Sequence, residues 1–226
     1  MMQNLEDLRV RKTRELIKST MIDLISEKGF DAVSVGDIAK RAMINRSTFY
    51  RHYSDKYDLV RNIFQNAVEE LLAELGSEKL EMLGWAMNMN THTVNDNSEM
   101  QGVIQAWIAF FGHFRRHEKF YKAMIGKQGS SWFSIQLSNY TASVLNDRFK
   151  ASPWFSIRQI NSTDVMPTQV AVASLANWII SMIVWWIEDG TKYSPTQIAI
   201  WSLQCVCQGY VSALGINVTA VTEEGF

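Results

Sequence analysis

Two neighbouring stretches decide the fold, Ser34-Val-Gly-Asp-Ile-Ala-Lys-Arg-Ala42 and Asn45-Arg-Ser-Thr-Phe-Tyr-Arg-His-Tyr-Ser-Asp-Lys56. In the first stretch, apolar residues recur every three or four positions, which is the period of one helix face. Ser34, followed three residues later by an aspartate, is a capping-box variant that starts this helix. In the second stretch, Asn45 is a favourable N-cap for a helix over residues 46–53. The pattern predicts two short helices joined by a tight turn, as in a helix-turn-helix.

The second of these helices has two different faces. Phe49 and Tyr53 lie four residues apart and are predicted to face the protein interior. The opposite face carries side chains with donors suited to guanine edges and phosphates, namely Arg46, Ser47, Tyr50 and Arg51. A B-form major groove is about 12 Å wide and admits one such helix. Spacing alone is equally compatible with an ordinary three-helix corner whose polar face is solvated.

The order of the residues favours DNA recognition. The helix opened by Ser34 with its Ile-Ala pair, followed by Thr48-Phe-Tyr-Arg-His52 and then Lys56, resembles the TetR/AcrR family of transcriptional regulators. Tyr53 stands where that family usually has Phe. Met43 stands where the turn usually has Gly, so the bend must be made by a residue that disfavours positive φ. The resemblance covers residues 9–65.

The resemblance implies a set of DNA-binding residues. It places Arg46 and Ser47 at base edges. It places Thr48, Tyr50 and Lys56 at phosphates. It places His52 near the backbone or a base, beside Arg51. The full implied set is Arg46, Ser47, Thr48, Tyr50, Arg51, His52 and Lys56. Arg9, Arg11 and Lys12 are expected to contact the DNA backbone from an N-terminal arm.

Helical spacing continues through most of the remaining chain. One helix is predicted to end at Lys28-Gly29, and a long one, capped by Ser54, to run from 55 to about 72. Two apolar helices are predicted over 168–189 and 195–213. The resemblance therefore implies an all-α protein, with a helix-turn-helix DNA-binding domain over residues 1–56. A larger helical domain for effector binding and dimerisation is expected over residues 57–226.

The last two predicted helices are almost free of charge. No charged side chain occurs over 165–187 or over 193–222. Helices with so little charge must bury nearly all of their faces, and pairing with a second copy would do this. A membrane span over 169–187 is the alternative, but Ser174, Asn177 and the absence of flanking basic residues argue against it. We therefore predict a homodimer, which would bind a palindromic double-stranded operator, and no membrane association.

Composition excludes several classes of protein. The 226-residue chain has a formal charge of −1, so it is not a polybasic nucleic-acid binder throughout. Residues 1–61 carry 12 basic and 9 acidic side chains, a local excess that suits phosphate. Two cysteines make no disulfide scaffold, and the first residues lack the apolar core of a signal peptide. We expect a cytoplasmic protein.

The larger domain is rich in aromatic and methionine side chains, with 8 Trp and 11 Met in the whole chain. Such side chains suit a pocket for a flat or lipophilic small-molecule effector, although most apolar residues belong to a core. The predicted lining residues are Trp107, Phe111, Phe114, Met124, Trp132, Trp178, Met182 and Trp185. The regulator is expected to be a repressor released by that effector. A same-fold regulator controlled by a partner protein is the alternative.

A helical metalloenzyme is the rival from another functional class. His113 and His117 are four residues apart, a spacing that can chelate a metal, but the flanking arginines would repel a cation. Cys205 and Cys207 are expected to be small buried residues on different helix faces. No motif for a catalytic nucleophile or a phosphate-binding glycine loop is present in the sequence. We therefore predict no catalytic residue, no cofactor and no metal.

Overall fold

The computed structural model describes residues 2–85, 97–127, 129–151, 166–189 and 192–206. Within these residues every regular element is helical, which confirms the all-α prediction. The helices are α1 (Met2–Lys28), α2 (Val35–Arg41), α3 (Arg46–Tyr50), α4 (Lys56–Trp85), α5 (Asn97–Arg116), α6 (Glu118–Ile125), α7 (Ser131–Ala151), α8 (Thr168–Glu188) and α9 (Pro195–Cys205).

The first two helix boundaries follow the local sequence signals. At the end of α1, Gly29 has a φ of 78°, and its N–H donates to the Ile25 carbonyl at 2.8 Å. At the start of α2, the Asp37 N–H donates to Ser34 Oγ at 3.1 Å, and the Ser34 N–H donates to Asp37 Oδ2 at 2.9 Å. The predicted capping box is therefore confirmed. The hydrogen bond from Ser34, then that from Lys28, hold the pKa of Asp37 well below its usual range.

One predicted cap is confirmed in its position and another is wrong. Asn45 occupies the predicted N-cap position of α3, although its side chain makes no capping hydrogen bond. Asp55, rather than Ser54, caps α4, because Asp55 Oδ1 accepts from the Asp58 N–H at 2.7 Å. Helix α3 also ends at Tyr50, earlier than predicted, and is followed by a turn.

Helix α4 is longer than the apolar pattern predicts. It extends to Trp85, with a break in helical geometry at Gly76, where φ is 63°. At the other end of the chain, α9 begins with a capping box between Ser194 and Gln197, and Pro195 lies in its first turn. The remainder of the predicted last helix, 207–213, and Cys207 lie outside the described residues.

The described residues form two compact units, of which the first contains residues up to Glu70 together with His117–Ser134. It holds α1, α2, α3, the start of α4, α6 and the first residues of α7. Helix α6 packs against α1. The core of the first unit contains the buried side chains of Ile17, Met21, Ile25, Phe30, Ile38, Phe49, Leu59, Phe120 and Met124. The functional division at residue 56 stays a prediction, while residues 57–70 and 117–134 group structurally with the N-terminal helices.

The second unit contains Leu71–Arg116 and the described residues from Ile135 onward. Helix α5 packs against α9 and α8 in this unit. Helix α8 is long and apolar enough to suit a membrane span by length and composition. However, one face of α8 is buried in the unit, through Ala171, Val172, Leu175, Ala176, Ile179, Ile183, Trp186 and Ile187. This burial favours a core helix.

The turn between α2 and α3 carries a conformational cost at Met43. Met43 has a φ of 51° and is 93% exposed, so no packing compensates for a backbone conformation that disfavours a Cβ. We predict that Met43→Gly raises the free energy of unfolding of the first unit by about 0.5–1 kcal/mol, measured by urea denaturation. Met43→Ala, which keeps the Cβ, is the control. An equal gain from both substitutions would contradict the prediction.

Candidate nucleic-acid interface

The turn between α2 and α3 sets the direction of the candidate recognition helix. The Ala42 N–H donates to the Ile38 carbonyl at 2.9 Å, and the Ile44 N–H donates to the Ala39 carbonyl at 3.0 Å. Between them, Met43 takes its positive φ and reverses the chain. The structure thus joins α2 and α3 by the tight turn that the sequence predicts.

The two faces of the recognition helix are divided as the sequence predicts. Phe49 is fully buried and Tyr53 is 4% exposed, and their rings lie 5.8 Å apart in the core of the first unit. The exposed side chains include Arg46, Ser47 and Tyr50, with Arg51 just beyond the end of α3. Tyr50 is 55% exposed although its ring packs edge-on against Phe49. An exposed row of hydrogen-bond donors therefore lies opposite a well-packed anchor.

Three side chains of the implied DNA-binding set interact locally. Arg51 Nη2 donates to Thr48 Oγ1 at 3.2 Å, which brings a guanidinium and a hydroxyl together on one surface. Partial burial, then the positive charges of Arg14 and Arg51, hold the pKa of His52 below its ordinary value. Both effects favour the neutral form of the His52 imidazole.

The cations of the first unit fall into two groups. Several are committed to ion pairs: Arg41 pairs with Glu27 through two N–H groups, Lys28 lies 2.9 Å from Asp37, and Lys119 pairs with Asp23. Other exposed cations have no ion-pair partner among the described residues, namely Arg9, Arg11, Lys12, Arg14, Lys40 and Arg46. The positive charge of this second group is available to a polyanion.

In the structure Lys56 makes hydrogen bonds within the protein, and the phosphate contact that the resemblance implied stays a prediction. Lys56 Nζ donates to the carbonyls of Phe30, Asp31 and Val33 at 3.0, 3.1 and 2.9 Å. It also lies 4.5 Å from the centre of the Phe30 ring. An ammonium group has three N–H donors, and all three are used in these hydrogen bonds.

The N-terminal cations differ from expectation in their setting. Arg9, Arg11 and Lys12 belong to α1, which begins at Met2, and so they lie on a helix instead of a separate arm. The side chains of all three are exposed. Arg14, which sequence reasoning did not include, lies close enough to His52 to lower the pKa of that imidazole. Arg14 and His52 are far apart in the sequence, so local sequence patterns do not encode this interaction.

The eight predicted pocket residues are divided between the two units. Met124 and Trp132 belong to the first unit, where Trp132 stacks on Phe30 with ring centres 5.9 Å apart. The others belong to the second unit, namely Trp107, Phe111, Phe114, Trp178, Met182 and Trp185. Of these, Trp107, Phe111 and Phe114 are buried along α5.

Trp185 is a surface residue in the described unit, which differs from its predicted place in a pocket. It is 43% exposed and stacks on Tyr193 at 5.9 Å. The buried indole is that of Trp186, whose Nε1 donates to the Tyr193 carbonyl at 3.0 Å and whose ring contacts Phe111 at 5.8 Å. Two adjacent tryptophans point in different directions on a helix, and only packing decides which one is buried.

The histidines and the described cysteine have settings of their own. His113 is buried beside the Phe114 ring, at 5.3 Å between ring centres. His117 Nε2 lies 2.9 Å from Glu70 Oε2. Among the residues that the structure describes, no group of three or more potential metal ligands occurs. Cys205 is exposed, which corrects the expectation of a buried residue, because Ser202, Leu203 and Val206 occupy the buried face of α9.

Comparison with known proteins agrees with this geometry. Residues 19–63 match the model of bacterial regulatory proteins of the tetR family. Residues 101–200 match the model of a transcriptional regulator C-terminal region.

Two curated relatives are similar to parts of the chain. The dhaKLM operon transcriptional activator DhaS of Lactococcus lactis is 26% identical over 144 residues, which are 63% of this chain and 65% of that protein. The HTH-type regulator YxbF of Bacillus subtilis is 33% identical over 70 residues, 30% of this chain and 18% of that protein. The chain thus spans less than two thirds of the length of these relatives.

A solved structure extends the likeness to most of the chain. NalD of Pseudomonas aeruginosa, the secondary repressor of the MexAB-OprM multidrug efflux pump, superposes with a TM-score of 0.59. The match covers 88% of this chain and 95% of NalD at 16% identity. At that identity the likeness shows a shared fold.

The contacts of Lys56 lead to a prediction about stability. Lys56→Met keeps the aliphatic chain but leaves three carbonyls without their donor, so it should lower the free energy of unfolding of the first unit by about 2–3 kcal/mol. Chemical denaturation measures this. The control is Lys40→Met, which removes an exposed cation and should leave stability unchanged. Unchanged stability of Lys56→Met, with a weaker salt dependence of DNA binding, would restore the phosphate role.

Proposed function

Because the chain belongs to the TetR family of bacterial regulatory proteins, it is a DNA-binding transcription regulator and not an enzyme, and we propose that it is a homodimeric repressor. In this proposal it acts in the cytoplasm on a palindromic double-stranded operator. A small aromatic or lipophilic effector releases it from that operator. The division at residue 56 separates the DNA-reading part from the part that binds the effector and the second subunit.

The observation that carries the DNA-binding proposal is the exposed donor row on the recognition helix. Arg46 and Ser47 lie at its start, where a helix in the major groove presents its residues to base edges. Thr48 and Tyr50 supply hydroxyl groups for phosphates, Arg51 adds an exposed guanidinium beside them, and His52 lies near the backbone or a base. The unpaired cations of α1 and α2 add the sequence-independent attraction.

The homodimer is supported by large exposed apolar side chains on α8 and α9. Val170 is 52% exposed, Trp185 is 43% exposed and Trp201 is 37% exposed. Tyr193 joins the two indoles, since it stacks on Trp185 and packs edge-on against Trp201 at 5.0 Å. These side chains lie on two helices that carry very few charges, and a second copy of the same surface would cover them.

The class of effector follows from the interior of the second unit. Trp107, Phe111 and Trp186 form a chain of ring contacts, with Phe110 and Phe114 beside them. An interior of this kind would bind an uncharged aromatic or lipophilic molecule, because a highly charged ligand would lose its hydration without compensation.

One comparison favours a second mode of regulation. DhaS is a transcriptional activator. Whether a bound regulator represses or activates depends on where its operator lies relative to the promoter. A reporter gene under the promoter next to the operator distinguishes the two modes. Expression that rises when the regulator is deleted supports repression, and expression that falls supports activation.

The proposed base-reading role of Arg46 predicts a sequence-dependent loss of affinity when the side chain is removed. Arg46→Ala should lower operator affinity by roughly 1–3 kcal/mol and relax the base preference at one position of each half-site. Lys40→Ala should weaken binding to all sequences similarly and reduce the salt dependence. Fluorescence anisotropy with operator variants at several salt concentrations measures both. An equal, sequence-independent loss in the two variants would contradict base reading by Arg46.

The dimer leads to a second prediction. Trp201→Glu should shift the protein from dimer to monomer, since an unpaired buried charge costs several kcal/mol. Sedimentation equilibrium at micromolar concentration measures the shift. The control is Ile135→Glu, which changes a 58% exposed apolar residue of α7 outside the proposed interface and should leave the dimer intact. A wild-type monomer would reject the dimer proposal.

The effector leads to a third prediction. An aromatic or lipophilic compound bound within residues 100–186 should quench tryptophan fluorescence and weaken operator binding by a coupling of roughly 1–3 kcal/mol. By reciprocity, operator DNA must weaken effector binding by the same factor. Titrations with and without operator test this. Equal affinities would reject the coupling, and no binding across a broad hydrophobic panel would favour control by a partner protein.

A further inference from the structure

Helix α2 contains a glycine whose backbone does not require one. Gly36 lies in the first turn of α2, and positive φ among the described glycines occurs only at Gly29 and Gly76. In a right-handed helix, glycine is less favourable than alanine because it has more conformational freedom to lose. The reason for a glycine at this position must therefore be the space beside it.

The side chain of Arg46 occupies that space. A Cβ added at Gly36 would lie 2.6 Å from Arg46 Nη2, 3.3 Å from Cζ and 3.5 Å from Nε. The first distance is shorter than real Cβ contacts allow. The guanidinium of the first recognition-helix residue therefore lies directly against the backbone of α2.

No ion pair in the part of the chain that the structure describes accounts for the position of the guanidinium beside Gly36. Arg46 has no ion-pair partner among the described residues. The nearest carboxylate in α2, that of Asp37, accepts hydrogen bonds from Ser34 and pairs with Lys28 at 2.9 Å. Since this carboxylate is already satisfied, the N–H donors of Arg46 remain available for a ligand.

We propose that Gly36 is a positioning residue for operator recognition: the missing side chain lets the Arg46 guanidinium rest on α2 in one pose before DNA binds. A planar guanidinium recognises guanine through two parallel hydrogen bonds to O6 and N7. A side chain held in place before binding loses less conformational freedom when it forms them. The inference rests on the proposed DNA-binding function and adds the residue that orients its base-reading group.

An alanine at position 36 would displace the guanidinium with little disturbance of the helix. The atoms that a Cβ meets belong to the far end of a flexible side chain, which can move aside. Alanine is also the stronger helix former. Gly36→Ala is therefore expected to leave the thermal midpoint unchanged or higher while it weakens base discrimination, two effects of opposite sign.

A double-mutant cycle tests the proposal with the full-length protein. Fluorescence anisotropy measures the affinity of four proteins for operator DNA and for operators changed at each base pair. The four are wild type, Gly36→Ala, Arg46→Ala and the double variant. Gly36→Ala alone should lower operator affinity about 5- to 20-fold and reduce the preference for guanine at the position read by Arg46. In the Arg46→Ala background the same change should alter affinity by less than about twofold.

Three results would overturn the proposal. Wild-type affinity and base preference in Gly36→Ala would show that the pose has no effect. An equal loss in the Arg46→Ala background would show that DNA approaches the Gly36 backbone itself. Failure of the wild-type protein to bind any DNA would reject the proposed DNA-binding function on which the inference rests. The first two results would leave that function intact.

A second variant avoids dependence on the folding of Gly36→Ala. Arg46→Lys keeps the charge but replaces the planar fork with a smaller ammonium group. It should keep wild-type affinity for non-operator DNA and lose the guanine preference. Retention of the full preference in Arg46→Lys would overturn the assignment of a held, planar guanidinium.

Discussion

The ammonium group of Lys56 joins the start of α4 to the loop between α1 and α2. Helices leave carbonyls without partners where they end, and the loop after α1 adds more. Lys56 provides hydrogen bonds to three of these carbonyls at once and rests on the Phe30 ring. The loop leads directly into α2, and α2 leads into the recognition helix. The position of the DNA-reading elements therefore depends on a cation that sequence similarity would assign to DNA.

The first unit separates two uses of positive charge. Arg41, Lys28 and Lys119 form ion pairs that connect α1 with α2 and α6. Other cations on α1, α2 and α3 have no such partner among the described residues. Exposed ion pairs contribute little to stability. Their larger effect is on the electrostatic field, because a paired cation is neutralised and an unpaired one attracts phosphate. Pairing thus selects which part of a nearly neutral chain presents positive charge.

The recognition helix is organised by packing on one side and by open space on the other. Phe49 and Tyr53 fix the helix in the core, while Gly36 leaves room for the Arg46 side chain to lie across α2. In the second unit the same contrast separates neighbouring residues, since Trp186 is buried and Trp185 is exposed. Buried side chains that pack in the core and exposed side chains alternate along a single helix. The same helices therefore stabilise the fold and present groups for recognition.

Local sequence by itself determined the helical class, the capping box at Ser34 and the inward face of the recognition helix. These features depend on residues within one or two helical turns, so hydrogen-bond chemistry and a period of 3.6 residues are enough to predict them. Tertiary structure alone decided that Lys56 binds loop carbonyls, that Trp186 is buried while Trp185 is not, and that Arg46 lies on Gly36. Each of these outcomes requires elements to pack in three dimensions, because the contacting atoms belong to different helices and loops. The pattern of neighbouring residues does not predict which hydrogen-bond donors form contacts within the protein and which stay exposed to a ligand.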